Sequence, residues 1–264
     1  MKYLIRIAIL ASAVLFFISF TSIADTPKKM NNDKVTIEVW SDIVCPFCLI
    51  GKKKLGQAIE KQNAQDQVEI IWRSFQLDPE FPKSQATPGM QNLTERKRYP
   101  ANQVHAMCGQ LTEQGKAYSI HFNFDSALTI NTWDAHRLIQ WSKEYNKSHQ
   151  LKEALMTAHF SKGADLSTPE GLITVTTSVG LDSTEASAVL ASDRYSIEVS
   201  ADITRAQSLG IRGVPYFLID GKQSISGAQS DAVFEQMIQG VLRDRKTKHD
   251  SSGAGVCLPN GECD

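Results

Sequence analysis

Val35-Thr36-Ile37-Glu38-Val39-Trp40-Ser41-Asp42-Ile43-Val44-Cys45-Pro46-Phe47-Cys48 decides how this chain is read. Residues 35–40 alternate in the manner of a strand, and Leu49, Lys53, Leu55 and Ile59 then begin a helical run rich in lysine. Two thiols therefore sit where a β-strand hands over to a helix. The unpaired N–H groups of a helix start carry partial positive charge, which favours thiolate. Cys45 is expected to be the more exposed thiol with the lowered pKa, and Cys48, one turn on, the resolving thiol. Such a pair suffices for dithiol–disulfide exchange.

Working outward, residues 68–75 read as a second strand, so strand, helix and strand form a βαβ unit with a parallel pair. Residues 89–209 are dominated by helical periodicity. Asn131-Thr132-Trp133-Asp134 has the look of an N-cap with an acid at N3, and Ser167-Thr168-Pro169-Glu170 starts another helix. Gly180-Leu181-Asp182 ends that helix and leads into the next. The strand signal returns at Val214-Pro215-Tyr216-Phe217-Leu218-Ile219, Asp220-Gly221 is a hairpin turn, residues 223–225 return, and residues 230–242 close with a helix. The expected organisation is a first half over 35–88, a helical insertion over 89–209, a second half over 210–243 and a flexible tail over 244–264.

Residues 1–24 read as a targeting signal. Lys2 and Arg6 precede an apolar run from Ile7 to Phe20, and Ser22-Ile23-Ala24 offers small residues for cleavage after Ala24. A periplasmic or secreted chain beginning at Asp25, without stable membrane association, is expected; an uncleaved anchor is the alternative. With 28 basic and 29 acidic residues the charge is nearly balanced, which argues against a nucleic-acid partner. Lys52-Lys53-Lys54 is read as a solvated helix face that could raise the local potential near Cys45. The cysteines, at 45, 48, 108, 257 and 263, divide into two close pairs and a singleton, too few for a disulfide scaffold. Cys108, sharing a helical face with His105, reads as a buried inert thiol. Asp42 either tunes Cys45 or relays a proton, or is a loop or capping acid.

The order βαβ then ββα, with Cys-x-x-Cys at the first helix start, is the thioredoxin-fold arrangement. Ser41-Asp42-Ile43-Val44-Cys45-Pro46-Phe47-Cys48 resembles the active-site motif of the DsbA family in its FrnE-like branch. Residues 131–138 resemble a motif in that branch's helical insertion, Gly210-Ile211-Arg212-Gly213-Val214-Pro215-Tyr216-Phe217 its cis-proline segment, and Ser226-Gly227-Ala228-Gln229 a further segment. The resemblance spans residues 35–242. It implies an α/β, thioredoxin-like fold interrupted by a large all-helical insertion, and a protein disulfide oxidoreductase or isomerase. It also implies a cis Val214–Pro215 bond, with Val214, Pro215 and Phe47 facing substrate.

No organic cofactor or metal is implied, only the redox-active Cys45–Cys48 disulfide, with protein thiols as substrates and glutathione or a partner enzyme as redox partner. Strongly oxidising members carry histidine at the Phe47 position, so a weaker oxidant is expected here. Residues near Asn131 help bind glutathione in a related branch, which keeps Asn131 as a tuning candidate. Cys257 and Cys263, separated by a segment containing Pro259-Asn260-Gly261, are either a structural disulfide or a second redox pair reaching Cys45 over a flexible tether from Arg243 to Val256. With Cys45 and Cys48 they could nominally ligate zinc. Two other readings stay open. One is a glutathione-dependent isomerase or transferase of the kappa-class and hydroxychromene-carboxylate isomerase branch, whose members typically carry serine at the first cysteine. The other is a redox-independent chaperone binding through Phe47, Val214 and Tyr216.

Overall fold

β1 (Val35–Ser41) is the axis of the molecule. A computed structural model describes residues 34–253, with side chains to residue 247. β1 leads into α1 (Pro46–Lys61), and β2 (Val68–Ser74) pairs with it in parallel, in register from Val35–Val68 to Ser41–Ser74. β5 (Tyr216–Ile219) lies antiparallel on the other side of β1, and β6 (Gln223–Ser226) antiparallel to β5. The sheet order is thus β2-β1-β5-β6. Asp220 and Gly221 both take positive φ, +47° and +67°, as a two-residue hairpin turn of this chemistry requires. Asp220 also clamps the base of β1, its N–H donating to the Thr36 carbonyl and its Oδ1 accepting from the Thr36 N–H.

The period-two pattern of β1 sorts side chains to two faces. Val35, Ile37 and Val39 pack with Leu55, Ile59, Trp72, Phe217 and Phe234 under α1 and α9 (Asp231–Gly253). Trp40 points the other way, to Ala206, Ile211 and Leu218. Each fully buried large apolar side chain contributes about 1.5–3 kcal/mol.

The insertion between the two halves begins after β3 (Ala86–Pro88). It comprises α2 (Gly89–Gln91) with a π-helical turn over Asn92–Arg96, α3 (Ala101–Lys116), β4 (Leu128–Ile130), α4 (Trp133–Trp141), α5 (Ser148–Lys162), α6 (Pro169–Ser178), α7 (Ser183–Leu190) and α8 (Ser196–Ser208). The helix starts read at these two places are capped: Thr168 Oγ1 accepts from Gly171 N–H at 3.2 Å and Asp182 Oδ1 from Glu185 N–H at 2.8 Å. The thioredoxin-like α/β fold with a helical insertion is therefore observed, with one departure. β4 pairs antiparallel with β3, a short ladder whose residues lack any alternation strong enough to announce it.

Two further expectations are corrected. The polar stretch after Leu242 continues as helix to Gly253, so residues 244–253 are not a loose tether; Arg245, paired with Asp220 at 3.0 Å, holds it to the hairpin turn. Lys52 and Lys54 are buried rather than solvated. Lys52 pairs with Glu153 and lies 2.8 Å from His149 Nε2, and Lys54 donates to the Gln229 carbonyl at 2.7 Å. The neighbouring helices α5 and α9 cover them, which the local sequence around α1 does not record.

Candidate active site

Cys45 is the N-cap of α1 and Pro46 occupies its first turn, a position where the missing N–H costs nothing. Across from it, the Val214–Pro215 peptide is cis, as the resemblance implied. The Cys45 thiol donates to the Val214 carbonyl at 3.5 Å. Gly51 eases this approach: a Cβ there would lie 3.1 Å from both Pro215 Cγ and Phe217 Cζ, so the two rings would have to give way by a few tenths of an ångström. Phe47 is 41% exposed and Val214 half-buried, giving the thiols an apolar rim.

Cys45 and Cys48 are both buried, at 3% and 2% exposure, and belong to the hydrophobic core of the insertion. The expectation of an exposed Cys45 thiol with a lowered pKa is corrected. Its pKa is raised well above the usual thiol range, first by the hydrogen bond with Cys48, then by burial and by the charges of Cys48 and Asp42. The Cys48 backbone N–H pulls the other way, as a helix start should, but does not prevail. The helix-start effect is present, but the neighbouring Cys48 thiol first and burial second outweigh it.

Beneath the thiols lies a buried polar floor. Asp42, fully buried, accepts from the Leu77 N–H at 2.8 Å and has His136 Nε2 at 3.3 Å. Burial works to raise its pKa, but the hydrogen bond and charge of His136, the Leu77 N–H and Thr132 outweigh this and hold it below the ordinary carboxyl value. Asp42 is thus a buried carboxylate, not a cap of α1. Lys152 of α5, 1% exposed, donates to the Ser41 carbonyl at 3.2 Å. His159, two turns further along α5, is buried and pushed down to about 4 by burial, against the charge of Asp42. Sequence reasoning passed over Lys152 and His159. The available signal was their spacing: with Leu155 and Met156 they form one stripe of α5, and all four are buried.

Residues 36–239 match the model of the DSBA-like thioredoxin domain. The chain belongs to this family. A probable DsbA oxidoreductase from Streptomyces coelicolor is 31% identical, with a TM-score of 0.76 over 87% of this chain and 98% of that one. The protein YwbO of Bacillus subtilis is 29% identical over 206 residues, covering 77% of this chain and 96% of that protein. A 2-hydroxychromene-2-carboxylate isomerase shares the fold at 14% identity, with a TM-score of 0.57 over 83% of this chain and all of that one.

The other candidate residues of this DSBA-like chain make contacts of their own or lie outside the described residues. Asn131 ties a loop to the head of α4: Oδ1 accepts from Trp133 N–H and Gln76 Nε2, and Nδ2 donates to the carbonyls of Phe81 and Pro79. The N-cap itself is Thr132, one residue later than expected. Cys108 is buried on α3 with its pKa raised, chiefly by burial. Among the described residues no group of three or more His, Cys, Asp or Glu could hold a metal ion. Cys257, Cys263 and the expected signal over residues 1–24 lie outside the described residues.

The direction of α9 nonetheless bears on the tail. Lys54 is 3.9 Å from Asp231 and Lys61 2.8 Å from Glu235, so α9 runs in the same sense as α1, away from Cys45. Arg245 is already level with Asp220 and Thr36, at the opposite end of β1 from the thiols. At about 3.3 Å per strand residue and about 1.5 Å per helical residue, Gly253 lies on the order of 30 Å from the dithiol end of the sheet.

Proposed function

We propose that this protein is a thiol–disulfide oxidoreductase acting on protein substrates, with Cys45 as nucleophile and Cys48 as resolving thiol. The observation that carries this reading is the Cys45 thiol hydrogen-bonded to the Val214 carbonyl beside Pro215, with Cys48 one turn inside α1. An extended substrate segment that donates its own N–H to the Val214 carbonyl competes with the Cys45 thiol for that acceptor. The bond to Val214 favours the protonated thiol, so its displacement frees Cys45 to ionise under the N–H groups of α1. Cys45 thiolate then attacks a substrate sulfur and expels the other as thiolate, and Cys48 breaks the resulting mixed disulfide; the reverse sequence oxidises a substrate dithiol. Phe47, which offers neither charge nor hydrogen bond to the thiolate, supports a less oxidising pair than histidine would give. Glutathione or a partner enzyme would reset the pair.

We further propose that the chain is exported, with residues 1–24 removed. No helix of the described residues is long and apolar enough to cross a membrane. Mass spectrometry of the protein from intact cells reads this directly: a chain beginning at Met1 would overturn it.

The oxidoreductase reading is tested with the mature protein in insulin reduction and in oxidative refolding of a reduced protein. Wild type is expected to be active, Cys45→Ser inactive, and Cys48→Ala to accumulate a disulfide-linked substrate adduct on Cys45. Equal activity in wild type and Cys45→Ser would remove the reading and favour a redox-independent chaperone.

A further inference from the structure

The segment that carries Val214 is a short arch held at both ends. α8 ends at Ser208, and Gly210 follows with a φ of +68°, the left-handed conformation that closes a helix. The Gly210 N–H donates to the Gln207 carbonyl at 3.0 Å and the Ile211 N–H to the Ala206 carbonyl at 2.9 Å. The Ile211 side chain is buried with Trp40, Ala206 and Leu218. At the other end Pro215 is buried, and its carbonyl accepts from the Gly227 N–H at 2.8 Å. Between these anchors stand Arg212, Gly213 and Val214, the first two exposed and the third half-buried.

Two features of the arch have no use within the chain itself. Gly213 takes a negative φ, and a Cβ there would meet nothing within 4 Å, so neither backbone conformation nor packing calls for glycine. What a missing side chain offers at such a place is close approach of another backbone. The place adjoins the Val214 carbonyl, 3.5 Å from Cys45 Sγ. The Arg212 guanidinium has no hydrogen-bond or ion-pair partner among the described residues. Arg73, Arg137 and Arg205, by contrast, each hold a carboxylate. Phe47 and Val214, which rim the thiols, bring no charge of their own.

Resting on the oxidoreductase reading above, we propose that Arg212 is a specificity-determining residue, selecting substrates with a carboxylate side chain one or two residues from the reacting cysteine. A substrate segment bonded to the Val214 carbonyl and lying over Gly213 reaches Arg212 next, because two peptide units separate the Cα atoms of Arg212 and Val214 by at most about 7.5 Å. A guanidinium fork matches a carboxylate with two parallel hydrogen bonds. The anchors at Ile211 and Pro215 hold the arch in place before the encounter, which lowers the ordering cost of binding. Even in water, unit charges about 7 Å apart attract or repel by about a factor of three. Glu beside the cysteine should therefore be favoured over Lys by about fivefold or more, attraction in one case and repulsion in the other.

The test is reduction, by the reduced mature protein, of three disulfide-linked homodimeric peptides that are alike except for Glu, Gln or Lys next to the cysteine. Released thiol peptide is measured by chromatography of acid-quenched samples at low salt. Each rate constant is divided by the same peptide's rate with dithiothreitol, which removes intrinsic differences in reactivity. Wild type is expected to favour Glu over Lys by about fivefold or more, and the preference should shrink towards unity in about 0.5 M salt. Arg212→Gln should bring the ratio to about one, and Arg212→Glu should invert it. A structural role for Arg212 would lower all three rates together and leave the ratio as it is. Lys222→Glu makes the same change of charge at an exposed residue of the β5–β6 turn, at the end of the sheet away from the thiols, and should keep the wild-type ratio. A wild-type ratio near one, an unchanged ratio in Arg212→Glu, or an equal shift in Lys222→Glu overturns the proposal. If wild type reduces none of the three peptides, the oxidoreductase reading fails instead, so the two failures are distinguishable.

Discussion

Two buried polar clusters lie along β1 and treat their charges differently. On the α8 face, Glu38 accepts from Arg73 Nε at 2.8 Å and from Arg205 Nη2 at 2.7 Å. Asp202 accepts from Arg73 Nη1 at 2.9 Å, the Ser74 N–H at 2.9 Å and Gln140 Nε2 at 2.6 Å. Each carboxylate there meets two or more donors, and the cluster ties β1, β2, α4 and α8 together. At the dithiol end Lys152 has one carbonyl and Asp42 has the Leu77 N–H, the His136 imidazole and Thr132, while among the described residues Ser41 Oγ and His159 Nδ1 have no hydrogen-bond partner. A buried charge that is fully bonded is held in one state. One left with spare capacity can change its protonation at modest cost.

The largest effect should come from breaking the complete cluster. Asp202→Ala leaves Arg73 and the Ser74 N–H short of partners, and is expected to lower unfolding stability in urea by about 3–5 kcal/mol. Disulfide exchange per folded molecule should be unchanged. A loss below about 1 kcal/mol would mean that this cluster is not the clasp described.

Next comes the incomplete cluster. A base whose folded pKa lies below its unfolded value is charged in the unfolded chain and neutral in the folded one between the two. There the unfolded state binds more protons, and stability rises with pH. For Lys152 that window runs from about 8 to its ordinary 10.5. Wild type should therefore gain on the order of 3 kcal/mol across it from this group, and Lys152→Met should lack that gain. Below pH 8 the variant should be no less stable than wild type. Superimposable stability–pH curves would show that Lys152 is not the costly buried charge inferred here.

The smallest effect is expected at the far end of α9. Since the helix carries the chain away from Cys45, deleting residues 254–264 should change insulin-reduction and refolding rates by less than about twofold; the four steps from Gly253 to Cys257 can add at most about 14 Å of reach. A Cys48→Ala protein whose Cys45 forms an intramolecular disulfide with Cys257 or Cys263 would contradict this and restore the tail as a redox relay.

The amino-acid sequence by itself determined most of the elements and their order, the β3–β4 ladder and the length of α9 excepted. The alternation of residues 35–40, the Cys-x-x-Cys with Pro46 at a helix start, the Asp220-Gly221 turn and the helix start at Ser167-Thr168-Pro169-Glu170 are local devices. Each acts within a few residues, so each is readable without the rest of the chain. What the tertiary structure decided is the state of the ionisable groups. Cys45 has the helix-start position that lowers a thiol's pKa, yet its pKa is raised because the second thiol and the insertion enclose it. Lys152 sits on an otherwise apolar stripe of α5 and becomes a buried base because that stripe is pressed against Ser41, 111 residues earlier. Helix and turn signals are carried by neighbours in sequence, whereas desolvation is set by whatever the fold brings close.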